Sequence, residues 1–202
     1  MLPSWIVFVG AGISVLGAIS YIRLVLAGEA QPNLVTWSMW AIAPLTAFVI
    51  ELQEGVGVSS TMTLIIGLIP CAVLLAGWHS KSMIWKLGPF DLACGFLSVV
   101  GLIVWLASDQ ATLGLLAQVT ADTVAAFPTL RKSFFTPESE GQGPYLTGTL
   151  NAGLTMLTLH HWTTAEVAFP LAIFVADIII WLFILTKVGT RFRVTPANSA
   201  NL

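Results

Sequence analysis

The sequence predicts an all-α membrane protein of seven transmembrane helices, arranged as two parallel three-helix repeats joined by a linker helix. Three observations carry this: a composition too apolar for water, seven apolar runs of spanning length, and basic residues confined to one side of those runs. Of 202 residues, 56% are hydrophobic and only 9% charged, whereas a soluble domain carries about 25% charged residues. The net charge of -2 offers no basic surface to a phosphate backbone, which excludes nucleic acid as a partner.

A helix needs roughly 20 apolar residues to cross a hydrocarbon core of about 30 Å. The first run, Trp5 to Leu26, has no basic residue ahead of it and carries Arg23 near its end. That is the reverse of a signal peptide's flanking charge, so the run is expected to stay in the mature protein. Gly28 and Pro32 break the chain, and Asn33 reads as the N-cap of span two, Leu34 to Leu52. Glu54 to Gly57 precedes span three, Met62 to Trp78, and His79 to Gly88 precedes span four, Phe90 to Ser108. Asp109 separates it from span five, Thr112 to Ser133. Pro137 to Pro144 then leads to span six, Tyr145 to His160, and Trp162 to Thr164 to span seven, Glu166 to Lys187.

Alternating these runs across a bilayer puts all eight basic residues on one side: Arg23, Lys81, Lys86, Arg131, Lys132, Lys187, Arg191 and Arg193. By the positive-inside rule that side is cytoplasmic. The chain is therefore expected in the plasma (inner) membrane of its cell, multi-pass, with its N-terminus outside and its C-terminus inside. The opposite side carries Glu51, Glu54, Asp109, His160 and Glu166. Six tryptophans suit the interfacial belts, with Trp5, Trp105 and Trp162 on the outer side and Trp37, Trp78 and Trp85 on the inner.

A shift of 108 positions lays Tyr21-Ile22-Arg23 on Thr129-Leu130-Arg131, Gly28 to Asn33 on Thr136 to Gly141, and Trp37 on Tyr145. The same shift lays spans one to three on spans five to seven. Four crossings separate equivalent spans, so the two triplets point the same way, as parallel repeats do. The expected organisation is a first repeat over 1–80, a linker helix over 81–109, a second repeat over 110–188 and a cytoplasmic tail over 189–202.

This 3+1+3 order, with Phe127-Pro128-Thr129 near the inner end of span five, resembles the SWEET and PQ-loop transporter superfamily, whose hallmark there is a proline followed by Gln or Thr. The resemblance implies alternating access by two rocking bundles, with Pro128 and Pro44 as hinge prolines. Tyr21 stands with Ser20 where the first repeat's proline would be, and span six has no inner proline. It also implies a site residue on the third helix of each triplet, which falls near Asp177, and an aromatic platform on the second helix, for which Trp40 is the candidate.

The residues point to the same region independently. An ionisable group at mid-membrane costs several kcal/mol and is read as lining an internal cavity. Asp122 and Asp177 lie about halfway along spans five and seven. Gln118, Asp122 and Thr129 share one helical stripe, and Thr147, Asn151, Thr155 and Thr158 share another on span six. The candidate substrate site is therefore Gln118, Asp122, Asn151, Thr155, Asp177 and Trp40, open to a small solute and to proton coupling through the carboxyls. Against this stand protonated, interhelically bonded carboxyls and threonines that merely bond a carbonyl one turn back. Gly10, Ser14, Gly17 and Tyr21 form a small-residue stripe expected to serve close helix packing. Arg131 and Lys132 are expected at the headgroups or in a gate pairing with Glu138 or Glu140, with Arg131 and Tyr21 as gating candidates.

The partners expected are membrane lipid and a small solute such as a sugar or amino acid. A non-transporting structural or accessory subunit is the alternative, and the oligomeric state is open. No HExxH, GxSxG or metal-spaced Cys/His cluster occurs, so neither an enzyme nor a cofactor is expected. His160 and His161 are adjacent, the wrong spacing for a shared metal on a helix face. Cys71 and Cys94 sit in apolar runs as small hydrophobes. A retinal-type protein would need a lysine within span seven, whereas Lys187 stands at its end.

Overall fold

A computed structural model describes residues 2–3, 5–53, 60–80, 87–109, 111–159 and 162–192, with the backbone alone at 50–53, 60–63, 111–112, 114–115 and 165–166. These residues form an all-α fold of seven helices: α1 (Ile6–Leu26), α2 (Leu34–Gln53), α3 (Ser60–Ser80), α4 (Pro89–Ala107), α5 (Ala111–Phe135), α6 (Gly143–Thr158) and α7 (Thr164–Thr186). Single 3-10 turns follow α5 at Pro137–Ser139 and α7 at Val188–Phe192. Among the described residues, three stretches are long and apolar enough to cross a bilayer: α1, α4 and Val167–Thr186 of α7. Shorter apolar stretches run over Leu34–Val49 and Leu64–Ser80.

The helix ends follow local chemistry. At the end of α1, Gly28 has φ 78°, and Glu29 N–H and Gly28 N–H donate to the carbonyls of Leu24 and Val25 at 2.9 and 3.1 Å. This is the Schellman arrangement, which needs a left-handed residue there. The expected cap of α2 is present, since Asn33 Oδ1 accepts from Thr36 N–H at 3.3 Å. Its Nδ2 donates to Asp91 Oδ1 at 3.0 Å, while Asp91 Oδ2 accepts from Gly88 N–H at 2.8 Å. One carboxylate thus caps α4 and ties it to the start of α2. Helix α6 begins two residues before the expected Tyr145, because Pro144 fits the first turn, where no N–H is needed.

Helix α3 packs against both α1 and α2, and α7 against both α5 and α6. Across these groups α1 packs along α6 and α2 along α5, while α4 rests on α5 and on α2. The α1–α6 contact is close because it is built from small residues. A Cβ on Gly17 would stand 2.8 Å from Gly143 O, and one on Gly143 2.8 Å from Gly17 O. The small-residue stripe of α1 is therefore a packing surface, as expected. Helix α4 docks in the same way, with Gly101 against Ala117 and Ala121 and with Ser98 Oγ donating to Ala121 O at 2.8 Å.

The surface inverts the pattern of a soluble protein. Leu16, Leu75 and Phe96 are 68%, 71% and 69% exposed, while Thr36, Ser98, Thr129 and Ser133 are fully buried. An apolar exterior around a core containing polar groups fits a hydrocarbon solvent. The core cluster gathers Tyr21, Val25, Trp37, Val73, Tyr145 and Ile180. Trp37, expected in the inner belt, instead lies buried, stacked on Tyr21 with ring centroids 5.0 Å apart. Trp5, Trp78 and Trp162 are exposed and Trp105 half-buried. The expected roles of Glu54, Lys81, Trp85, Lys86, His160, His161 and the tail beyond Phe192 fall outside the described residues, as do the side chains of Glu51 and Glu166.

Candidate functional site

Two polar constellations lie among the described residues of the interior. The first lies at the end of the bundle where α1, α5 and α7 finish, called here the basic end because Arg23, Arg131, Lys132, Lys187 and Arg191 lie there. Its centre is Glu140, whose side chain is wholly buried. Tyr21 of α1 and Tyr145 of α6 both donate hydroxyl protons to Glu140 Oε2, at 2.8 and 3.0 Å. Lys132 of α5 pairs with Oε1 at 3.0 Å. The Lys132 ammonium also donates to the carbonyls of Ser139, at 3.3 Å, and Gln31. Gln31 N–H donates to Ser139 O at 2.9 Å, so the α1–α2 and α5–α6 connections are bonded to each other beside the ion pair.

This cluster satisfies a buried charge as physics requires, with a cation and two hydroxyl donors around one carboxylate. Gly141 makes it feasible, because a Cβ there would stand 2.7 Å from Leu24 and 2.9 Å from the Tyr21 ring. An open cleft of about 440 Å³ lies alongside, with Glu138, Glu140, Gln142 and Lys187 among its lining residues. The expected pairing of Lys132 with Glu140 is present. Arg131 is not part of it: its guanidinium stands 5.2 Å from the centroid of the Phe90 ring. The reason is periodicity, since adjacent residues on a helix point about 100° apart and only Lys132 faces the loops. The sequence marks Tyr21 and Glu140 as gate candidates but gives Tyr145 no role there. The shift that pairs Trp37 with Tyr145 marked an aromatic there, but nothing in it placed Tyr21 and Tyr145 on one carboxylate.

Close by, Thr129 Oγ1 donates to Thr36 Oγ1 at 2.9 Å, and Thr36 Oγ1 donates to Ala125 O at 2.6 Å. Pro128, buried between these residues, has no N–H for the Val124 carbonyl, so α5 is weakened at the point where α2 braces it. Pro44 lies within α2, one turn beyond Trp40.

The second constellation lies deeper. Asp177 of α7 is 8% exposed, and its carboxyl fits against Gly148 of α6, where a Cβ would stand 3.1 Å from Asp177 Cγ. Asp122 of α5 is half-buried and within electrostatic range of Asp177, as is Tyr145. The two aspartates are thus brought together. Among the described residues, neither carboxyl receives a hydrogen bond or an ion pair. Asn151 is placed otherwise. Its Oδ1 lies against Gly10, in the α1–α6 contact, and Thr155 Oγ1 donates to Asn151 O at 2.9 Å. Thr147 likewise bonds Gly143 O, at 2.9 Å. The stripe of α6 therefore serves packing and local backbone bonding. Gln118 is half-buried, one turn from Asp122 along α5. Trp40 meets Trp37 edge to face at 5.6 Å, and among the described residues its buried indole N–H has no partner. The same holds for Trp181, one turn from Asp177 on α7.

No protein-family profile, curated protein or solved structure matches the chain.

Proposed function

We propose that the chain is a small-solute transporter of the inner membrane, in which two like-facing three-helix bundles rock about a central site at Asp122 and Asp177. On this reading all seven helices span, the N-terminus is outside, and the basic end faces the cytoplasm. The observation that carries it is reciprocal packing. Helix α3 lies against α1 and α2 as α7 lies against α5 and α6, and α1 packs on α6 as α2 packs on α5. A two-fold rotation about the membrane normal would produce that pairing, and parallel-repeat transporters place their sites at the interface so formed. The cluster on Glu140 draws residues from both bundles, Tyr21 and Gln31 from one and Lys132 and Tyr145 from the other. It acts as the inner gate, and here it is closed. The likeness to SWEET and PQ-loop proteins in helix order and at Pro128-Thr129 points the same way.

Labelling decides whether the centre is wet. Cysteines placed at Asp122 and Asp177 are expected to react with small thiol reagents from either membrane face, and proteoliposomes are expected to take up at least one solute from a panel of sugars, amino acids and vitamins. Unreactive cysteines together with no uptake across the panel would make the chain an accessory subunit. The glycine-built α1–α6 contact, close along its length, is the observation that favours that second reading.

A further inference from the structure

Resting on the transporter reading, we propose that the solute is a small organic cation, exchanged at Asp122 and Asp177 against protons. Asp177 is nine-tenths buried, Asp122 lies within electrostatic range of it, and among the described residues no group donates to either. The described helices carry lysine or arginine only at the basic end, as Arg23, Arg131 and Lys132. No lysine or arginine occurs between Leu24 and Ser80, between Leu87 and Leu130, or between Ser133 and Thr186. Among the described residues, the titratable groups within electrostatic range of Asp177 are Asp122 from α5 and Tyr145 from α6, and its carboxyl lies against the bare backbone of Gly148. None of these is basic.

A carboxylate pair in a low-dielectric interior requires positive charge, and where the protein supplies none the charge must be mobile. Two mobile carriers meet the need: protons, or a solute that brings its own positive charge. An anion would meet two negative groups. A neutral polyol donates hydroxyls to the carboxylates but brings no charge to balance them. An ammonium group supplies donors and charge together. Trp181, one turn from Asp177 on α7, suits the rest of such a molecule, since an indole attracts cations. Gly148 contributes by absence, leaving the space that the Asp177 carboxyl occupies.

The exchange balances without any covalent step. With no solute bound, protons sit on the carboxyl oxygens. A cation entering from one side displaces one proton per positive charge, which leaves to that side, and after the bundles rock the sequence reverses. Transport is then electroneutral and driven by a proton gradient.

Calorimetry on the purified protein tests this with putrescine, choline and arginine against butanediol, glucose and glutamate, in two buffers of different ionisation enthalpy. At least one of the three cations is expected to bind with release of about one proton per positive charge. That binding is expected to weaken by roughly tenfold or more in Asp177→Asn and in Asp122→Asn, while the neutral and anionic probes do not bind. The wild-type selectivity carries the test should either variant fail to fold. Binding of butanediol or glucose as tightly as the cations, cation binding without proton release, or no cation binding at all overturns the proposal. Uptake of a neutral or anionic solute by proteoliposomes would then leave the transporter standing and remove only its cation.

Discussion

At the scale of single residues, Glu140 is a wholly buried carboxylate held by one ion pair and two hydroxyls. Its carboxylate is fully enclosed, whereas its partner Lys132 is 20% exposed, so the two ends of the pair are unequal. Lys132→Met strands a buried carboxylate with two hydroxyl donors and should destabilise the protein by about 3 kcal/mol. Glu140→Gln leaves Lys132 able to reach water and should cost less, about 1–2 kcal/mol. In the double variant most of the Lys132→Met loss should return, because no buried charge is left. Denaturant titration in detergent micelles reads all three, and simple additivity would mean that the pair is uncoupled. The Lys132–Glu140 pairing was legible because Lys132 stands in the last turn of α5 and Glu140 in the short connection that follows it. The burial of Trp37 was not. A tryptophan near the end of an apolar run suits a headgroup belt and a core equally well, and only its stacking on Tyr21, from another helix, decides between them.

At the scale of helices, what holds α1 on α6 is the absence of side chains. A Cβ at Gly17 would stand 2.9 Å from Thr147 Cβ and 2.8 Å from a backbone carbonyl, so nothing flexible can give way, while a Cβ at Gly12 meets nothing within 4 Å. Gly17→Val should therefore cost about 1–3 kcal/mol through forced separation of the helices. Gly12→Ala should be neutral or gain up to about 1 kcal/mol from helix propensity. Thermal unfolding of the two variants side by side checks the pair, and equal effects would place the close contact elsewhere. The helices themselves were legible from apolar length, within a few residues at their ends. Their facing was not. In water an amphipathic stripe tells which side is inward, but here lipid and core are both apolar, so Leu75, which is exposed, and Val73, which is buried, read alike. Polar stripes mislead for the same reason. The Thr147 and Asn151 row of α6 looked like a cavity wall and lies against α1 instead, its hydroxyls and amide tolerated beside glycine.

At the scale of the whole molecule, the proposed mechanism requires the basic end to open, and the bonds that resist this lie between the α1–α2 and α5–α6 connections. Gln31 N–H donates to Ser139 O at 2.9 Å, which sets the two backbones at about the separation of paired strands, within reach of a disulfide. A shift of 108 positions predicts a likeness of the two halves. The shift does not show that the gate is asymmetric, because Glu140 falls opposite Pro32 and one half alone supplies the carboxylate. A cysteine pair at Gln31 and Ser139 should close without disturbing the fold and, when oxidised, should stop solute exchange in proteoliposomes, with activity returning on reduction. Glu140→Gln should act in the opposite sense, raising the reactivity of a cysteine at Asp177 toward a reagent applied from the basic side, because the bond that keeps Lys132 against both connections is weakened. If the oxidised pair exchanges solute at the reduced rate, these connections stay together throughout the cycle. The moving parts would then have to be sought at the other end of the bundle.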